Sequence, residues 1–142
     1  MENSFVSVND LKIIPNPKGD IYRALRSEDI SFKAFGEAYF SCIHHEITKG
    51  WKKHTKMTMN LIVPVGDIRL FFYSQVSSSC QTIDIGESNY KRVTVPPGIW
   101  MAFQGLSKDL NLMLNIADLI HDPDEAINVD ISTFSTKNAF KL

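Results

Sequence analysis

Cysteine is scarce in this sequence: Cys42 and Cys80 are the only two in 142 residues. Two are too few for a disulfide framework, so the expectation is free thiols in a reducing, cytoplasmic setting. Excess charge is missing as well. Fifteen Lys+Arg against sixteen Asp+Glu leave a formal charge of −1, which gives no footprint for a nucleic acid or a membrane surface as partner. The longest uncharged apolar stretch, around Leu61–Val65, is far short of the ~20 residues of a membrane helix. Met1-Glu2-Asn3-Ser4 shows no basic stretch running into an apolar one, so no secretory leader is expected. The seven glycines stand singly, which excludes a Gly-rich phosphate loop. No Gly-x-Ser-x-Gly elbow occurs and neither cysteine has an adjacent His signature, so nucleophilic catalysis has no sequence support. Cys-x-x-Cys and His-x-His spacings are absent. On a strand His44 and His45 point to opposite faces, and with His121 they make no ligand set; no metal and no cofactor are expected.

Apolar residues, by contrast, are plentiful: 44 % hydrophobic, with nine Phe. That suffices to bury a core, and the length fits one domain, residues 1–142, without linker, repeat or low-complexity segment. Turn signals recur at short intervals, at Pro15–Gly19, Thr48–Gly50, Val65–Asp67, Ser77–Ser79, Gly86–Asn89, Pro96–Gly98 and Asp122–Asp124. Between them lie segments with strand chemistry: Tyr39–His44, Met57–Val65, Ile68–Tyr73, Tyr90–Val95, Trp100–Phe103 and Leu110–Ile116. Within Leu110–Ile116 the aliphatic Leu110, Leu112, Leu114 and Ile116 alternate with Asn111 and Asn115, which predicts the aliphatic face in the core and the Asn face outside. Helical patterning is weak, limited to Asp20–Glu28 and one turn at Asp122–Ala126. Strands separated by turns predict an all-β antiparallel sandwich or barrel.

The densest chemical segment is Lys49–Met59. Lys49, Lys52, Lys53 and Lys56 surround Trp51 and His54 between two predicted strands, where barrel mouths carry their sites. The lysines suit a diphosphate, and Trp51 suits stacking on a base or sugar; a solvated basic loop anchored by one Trp is the plainer alternative. A second fixed point is Val95-Pro96-Pro97-Gly98, a rigid turn that aims Trp100 or Met101 toward the barrel interior or into a packed corner.

These motifs, in this order, resemble the cupin barrels and most closely the dTDP-4-dehydrorhamnose 3,5-epimerase family, which makes deoxysugars for surface polysaccharides. Lys18-Gly19-Asp20-Ile21 resembles the family's Arg-Gly-x-Phe turn, and Lys49-Gly50-Trp51-Lys52 its Arg-Gly-Leu-His strand. Thr94–Phe103 is similar to its Ile-Pro-x-Gly-Phe-Ala-His-Gly-Phe segment. Leu112–Asp118 with His121-Asp122-Pro123-Asp124-Glu125-Ala126 is similar to its late strand and Asp-Pro-Glu turn. The resemblance implies a cupin-type jelly roll and an isomerase acting on a dTDP-4-keto-6-deoxysugar. It also implies a homodimer, for which residues 1–15 are a candidate exchanged strand.

The resemblance also carries departures. The family's base is a His where this chain has Lys52, which would need burial or neighbouring cations to act as one. Its acid is a Tyr on the late strand where the count reaches Leu114, and the His of its Phe-Ala-His-Gly-Phe becomes Met101. The Asp that orients its base lies in a C-terminal extension without a counterpart here. A metal-cupin ligand set would fall on Lys52, His54, Met59 and Met101, which is not a site. The expected site is therefore Lys52 or His54 as base and Lys49 and Lys56 on a nucleotide-sugar diphosphate. Trp51, Trp100 and Met101 would stand beside the sugar cavity. A catalytically silent cupin that binds a nucleotide sugar or small metabolite, and a 3,4-ketoisomerase, are the alternatives.

Overall fold

The computed structural model describes residues 4–142; Met1–Asn3, at the start of the segment expected to be exchanged between subunits, lie outside the described residues. The chain forms a jelly roll of two packed sheets. Its strands are β1 (Ser7–Asp10), β2 (Ile13–Ile14), β3 (Ile21–Tyr22), β4 (Glu37–Cys42), β5 (Thr48–His54), β6 (Met59–Val65), β7 (Asp67–Ser74), β8 (Ser79–Gly86), β9 (Lys91–Val95), β10 (Trp100–Gly105), β11 (Leu112–Ala117), β12 (Ala126–Asn128) and β13 (Phe140–Lys141). One sheet has the order β1-β9-β6-β11-β4 and the other β12-β5-β10-β7-β8-β13, with β2 and β3 a separate hairpin. Strand β1 pairs antiparallel with β9 of its own chain, Val8 opposite Val93. Among the described residues no helix is long and apolar enough to cross a membrane.

Alternation builds the core. Along β7 the even positions Ile68, Leu70 and Phe72 are fully buried between the sheets, while Arg69 turns outward. There its Nε and Nη2 donate to both oxygens of Asp84 at 2.7 and 2.9 Å. Leu61 and Val63 of β6, Ile83 and Ile85 of β8, and Val93 and Val95 of β9 complete the same apolar layer.

Three expectations are corrected. Thr48–His54, read as part of a basic segment between strands, is itself a strand, since its lysines reach solvent from an open cavity and a sheet surface rather than from a loop. Ser79–Gly86 was not foreseen as a strand, although Cys80, Ile83 and Ile85 are buried along it. Asp20–Glu28 forms no helix. The Asp20 carboxylate accepts from the Asn16 N–H at 2.9 Å, which closes a turn, and Ile21 and Tyr22 then pair with Ile14 and Ile13. The segment beyond is pinned by buried Arg92, whose guanidinium donates to Ala24 O at 2.8 Å and Ser31 Oγ at 3.0 Å.

The facing of β11 is also reversed. Met113, Asn115 and Ala117 are buried, whereas Leu112, Leu114 and Ile116 are half-buried on the outer side. Just before the strand, Asn111 is fully buried and acts as a hub. Its Oδ1 accepts from the Asp67 and Ser107 N–H groups at 3.1 and 3.0 Å, and its Nδ2 donates to Ile43 O and Ser107 O at 3.2 and 2.8 Å. An amide that saturates the polar groups of three chain segments is worth more inside than a leucine would be. Asn111→Ala is therefore expected to lower the unfolding free energy by about 2–4 kcal/mol in urea, and Leu114→Ala by only about 1 kcal/mol; the reverse ranking would place the wrong face inside.

Candidate functional site

Between the two sheets, at one end, lies a cavity of about 340 Å³. Tyr39 and Ser41 of β4, Met59 and Leu61 of β6, and Met113 and Asn115 of β11 line it from one sheet. Lys49, Lys52 and His54 of β5, Met101 and Phe103 of β10, and Asn128 of β12 face them from the other. The floor is apolar and rich in methionine, and charge is confined to the β5 side.

From Gly50 onward the β5 side follows from strand periodicity, while Lys49 lies beyond the register shift between Met101 and Phe103. Gly50, Lys52 and His54 fall on one face and Trp51 and Lys53 on the other. Gly50 has φ +147°, and a Cβ there would lie 2.7 Å from Ala102 Cα and in collision with its Cβ. Glycine is what lets β10 approach β5 closely enough to pair Met101 with Lys52 and Trp100 with Lys53.

His54 is buried, and its Nδ1 lies 2.6 Å from Glu125 Oε1. The other carboxylate oxygen, Oε2, accepts from the Lys56 and Met57 N–H groups at 2.9 and 3.0 Å. Burial by itself would raise the Glu125 carboxyl; the hydrogen bond from His54 and those two backbone N–H groups outweigh it and hold it at about 2, below its ordinary 4.5. Glu125 is therefore an ionised acceptor, so Nδ1 carries the proton it receives. Nε2 is left without a protein hydrogen-bond partner among the described residues, and in a neutral ring with Nδ1 protonated it is the acceptor. A buried imidazole with its tautomer fixed by a carboxylate and its other nitrogen free is the arrangement of a general base.

The expected residues separate accordingly. Lys49, Lys52, His54 and Met101 meet at the cavity. Lys52 is exposed and lacks the burial a lysine base requires. Lys49 Nζ donates to Cys42 O at 2.8 Å and stands 5.9 Å over the Phe103 ring. Lys56 is exposed and off the cavity wall, and what it gives the site is its backbone N–H to Glu125. The two tryptophans do not present open ring faces to the cavity. Trp51, though it borders the cavity, is fully buried, its indole N–H donates to Ile131 O at 3.0 Å, and its ring meets Phe134 edge-on at 5.5 Å. Trp100 lies off the cavity in the same outer cluster, 5.4 Å from Phe134, with Lys53 Nζ 4.9 Å over its ring. The alternation that brings Lys52 and Met101 inward turns both indoles outward.

Two members of the site escaped the sequence reading. Glu125 supplies the orienting carboxylate that was expected only in a C-terminal extension. Its signal was present in Asp122-Pro123-Asp124-Glu125, a turn closed by Glu125 N–H to Asp122 O at 3.1 Å. Tyr39 is the phenol on the facing wall, and it receives a hydrogen bond from Asn115 Nδ2 at 2.9 Å. Leu114, where the count placed a tyrosine acid, is on the side of β11 away from the cavity. Among the described residues no cluster of three His, Cys, Asp or Glu side chains could hold a metal ion.

No protein-family model matches the chain. Over 130 residues it is 24 % identical to the probable low-salt glycan biosynthesis epimerase Agl13 of Haloferax volcanii, covering 84 % of this chain and 83 % of that protein. A dTDP sugar isomerase from Desulfovibrio desulfuricans G20 superimposes with a TM-score of 0.87 at 28 % identity, covering 94 % and 92 % of the two chains. The sugar 3,4-ketoisomerase QdtA of Thermoanaerobacterium thermosaccharolyticum, solved in complex with TDP, gives 0.75 at 18 % identity over 87 % of each chain. A dTDP-4-dehydrorhamnose 3,5-epimerase from Sulfolobus tokodaii shares the fold as well, with a TM-score of 0.80 at 15 % identity over 99 % and 86 % of the two chains.

The depressed Glu125 carboxyl has a pH signature. Because the group is more acidic folded than unfolded, its contribution to stability is complete above pH 4.5 and is lost as pH falls toward 2. Acid titration of unfolding is expected to show this limb, and Glu125→Gln to flatten it while lowering stability at neutral pH. An unchanged acid limb in Glu125→Gln would show that another carboxylate is responsible.

Proposed function

We propose that this chain, which has the fold of the dTDP-4-dehydrorhamnose 3,5-epimerase-like cupins, is an isomerase of a dTDP-4-keto-6-deoxysugar in glycan or surface-polysaccharide synthesis. The observation that carries the reading is the His54–Glu125 pair, with Nε2 of the buried imidazole unpartnered on the wall of the cavity between the sheets. A proton alpha to a ketone is acidic enough for an imidazole when the enolate is stabilised, and such a base gains about 10²–10⁴ in rate. His54 Nε2 takes the proton, Glu125 stabilises the imidazolium, and Lys52 and Lys49 at the rim meet the diphosphate. The apolar floor of Met59, Leu61, Met101 and Met113 accepts the 6-deoxy carbon. Tyr39 offers its hydroxyl from the facing sheet, where a proton must arrive for inversion of the carbon.

A 3,4-ketoisomerase reaction is the second reading, and one observation favours it: Leu114, at the family's acid position, is turned away from the cavity. A single base then suffices, taking the C3 proton and returning one to C4 of the same enediol. In both readings the protein is cytoplasmic and a homodimer. The outer face of β4 and β11 supports the dimer, since Phe40, 63 % exposed, stands opposite half-buried Leu114 there.

The test is incubation with dTDP-4-keto-6-deoxyglucose in D₂O, monitored by NMR. Deuterium at C3 and C5 with inversion is expected of the epimerase, and a 3-keto product with deuterium at C4 of the ketoisomerase. His54→Asn should reduce exchange at least about 10²-fold, whereas Lys52→Ala should mainly raise KM. Tight binding without exchange would instead identify a catalytically silent nucleotide-sugar binder, and exchange undiminished in His54→Asn would remove the proposed base.

A further inference from the structure

One polar pair on the cavity wall is not accounted for by packing. Tyr39 and Asn115 stand directly opposite each other on β4 and β11. Apart from Ser41, the wall around them is apolar, formed by Met59, Leu61 and Met113. Asn115 is only 2 % exposed, and its one side-chain hydrogen bond is from Nδ2 to Tyr39 Oη at 2.9 Å. Its Oδ1 is buried without any partner. An amide in such a place costs stability relative to leucine, which would fill the same space. The cost is accepted to place one N–H on one phenol oxygen.

That bond has a directional consequence. A phenol oxygen that accepts from an amide N–H must aim its own O–H elsewhere. No other described residue bonds to Tyr39 Oη, and the ring borders the cavity. The free proton is therefore presented to whatever fills that cavity, from the sheet facing His54.

We propose that Asn115 is a positioning residue that holds the Tyr39 hydroxyl as a proton donor to the bound keto sugar. The proposal rests on the isomerase reading above and deepens it: His54 accepts the proton from one wall and Tyr39, set by Asn115, delivers one from the other. Proton balance is kept, because the proton Tyr39 gives to the enolate is restored to its oxygen from solvent as His54 releases the one it took. Asn115 lines the cavity but has its one side-chain hydrogen bond on Tyr39, and its role in this proposal is exerted through that phenol.

The experiment compares the unmodified protein with Tyr39→Phe, Asn115→Leu and the double variant, in steady-state turnover and D₂O exchange. Asn115→Leu is expected to lower kcat about tenfold with KM nearly unchanged, since the amide acts on the proton donor and not on substrate binding. The double variant is expected to be no slower than Tyr39→Phe alone, because Asn115 has nothing left to position. Asn115→Asp, whose carboxylate would accept the phenol proton and turn it from the cavity, should lose at least as much as Asn115→Leu. If Asn115→Leu does not fold, the Asn115→Asp comparison and its double variant with Tyr39→Phe carry the same prediction. Unchanged kcat in Asn115→Leu, or losses that multiply in the double variant, would overturn the proposal while leaving the isomerase reading standing. Absence of exchange in the unmodified protein would overturn both.

Discussion

The hydrogen bond from His54 Nδ1 to Glu125 Oε1, at 2.6 Å, joins two parts of the chain that the site cannot do without. His54 closes strand β5 at the inner face of one sheet. Glu125 begins the strap that returns along the outside of that strand as β12, with Ala126 opposite His54 and Asn128 opposite Lys52. The same carboxylate also accepts from the backbone of Lys56 and Met57, which fixes the turn leading from β5 into β6. One ionised group thus sets the imidazole tautomer, anchors the strap and shapes the entry to the next strand. An uncompensated carboxylate at that depth would be costly, so each of its partners is required by the others.

The strap has a second anchor on the far side of the sheet. Trp51 and Val129 exchange backbone hydrogen bonds, each 3.1 Å, and Phe134 packs among Trp51, Tyr73 and Trp100, stacked on Tyr73 at 4.1 Å. Strands β5 and β10 therefore divide their labour by face. The outward residues, Trp51, Trp100 and Ala102, bury an aromatic cluster that stiffens the sheet and holds the strap. The inward residues, Lys52, His54 and Met101, are left to the cavity. The strand that carries the His54 imidazole is thus held from its other face, by the aromatic cluster.

The facing wall is built on a different plan. Its strands contribute Met59, Leu61 and Met113, a deformable apolar surface, with Tyr39 and Asn115 as its polar pair. Asymmetry between the walls gives the cavity a polarity. Charge and the base lie on one side, and the hydroxyl and apolar floor lie on the other. Such a layout suits a ligand with one charged end and one compact, largely apolar end.

Much of this was legible in the residues. Alternation in Leu110–Ile116, with short strand-like segments and turn residues along the rest of the chain, specified an all-β fold because period two is the mark of a half-buried strand. Lys49, Lys52, His54 and Met101, grouped in the sequence by motif order, and Lys52 with His54 by their two-residue spacing, line one cavity in the structure. What the sequence could not supply was phase and partnership. Alternation says that two faces differ, not which one is inside. On β11 the leucines turned outward while Asn111, just before the strand, went inside, where it satisfies the buried polar groups of three chain segments. On β5 and β10 the indoles went outward because Phe134, more than thirty positions beyond Trp100, came back to meet them. Glu125 likewise was an ordinary acid in a turn until folding brought it 71 residues back along the chain to His54. Composition and periodicity are local properties, and the sequence alone determined their consequences: an all-β chain, its turns, and a basic strand beside a cavity. The pairing of His54 with Glu125 and the placing of Tyr39 on the facing wall depended on contacts between distant segments, and only the tertiary structure could decide them.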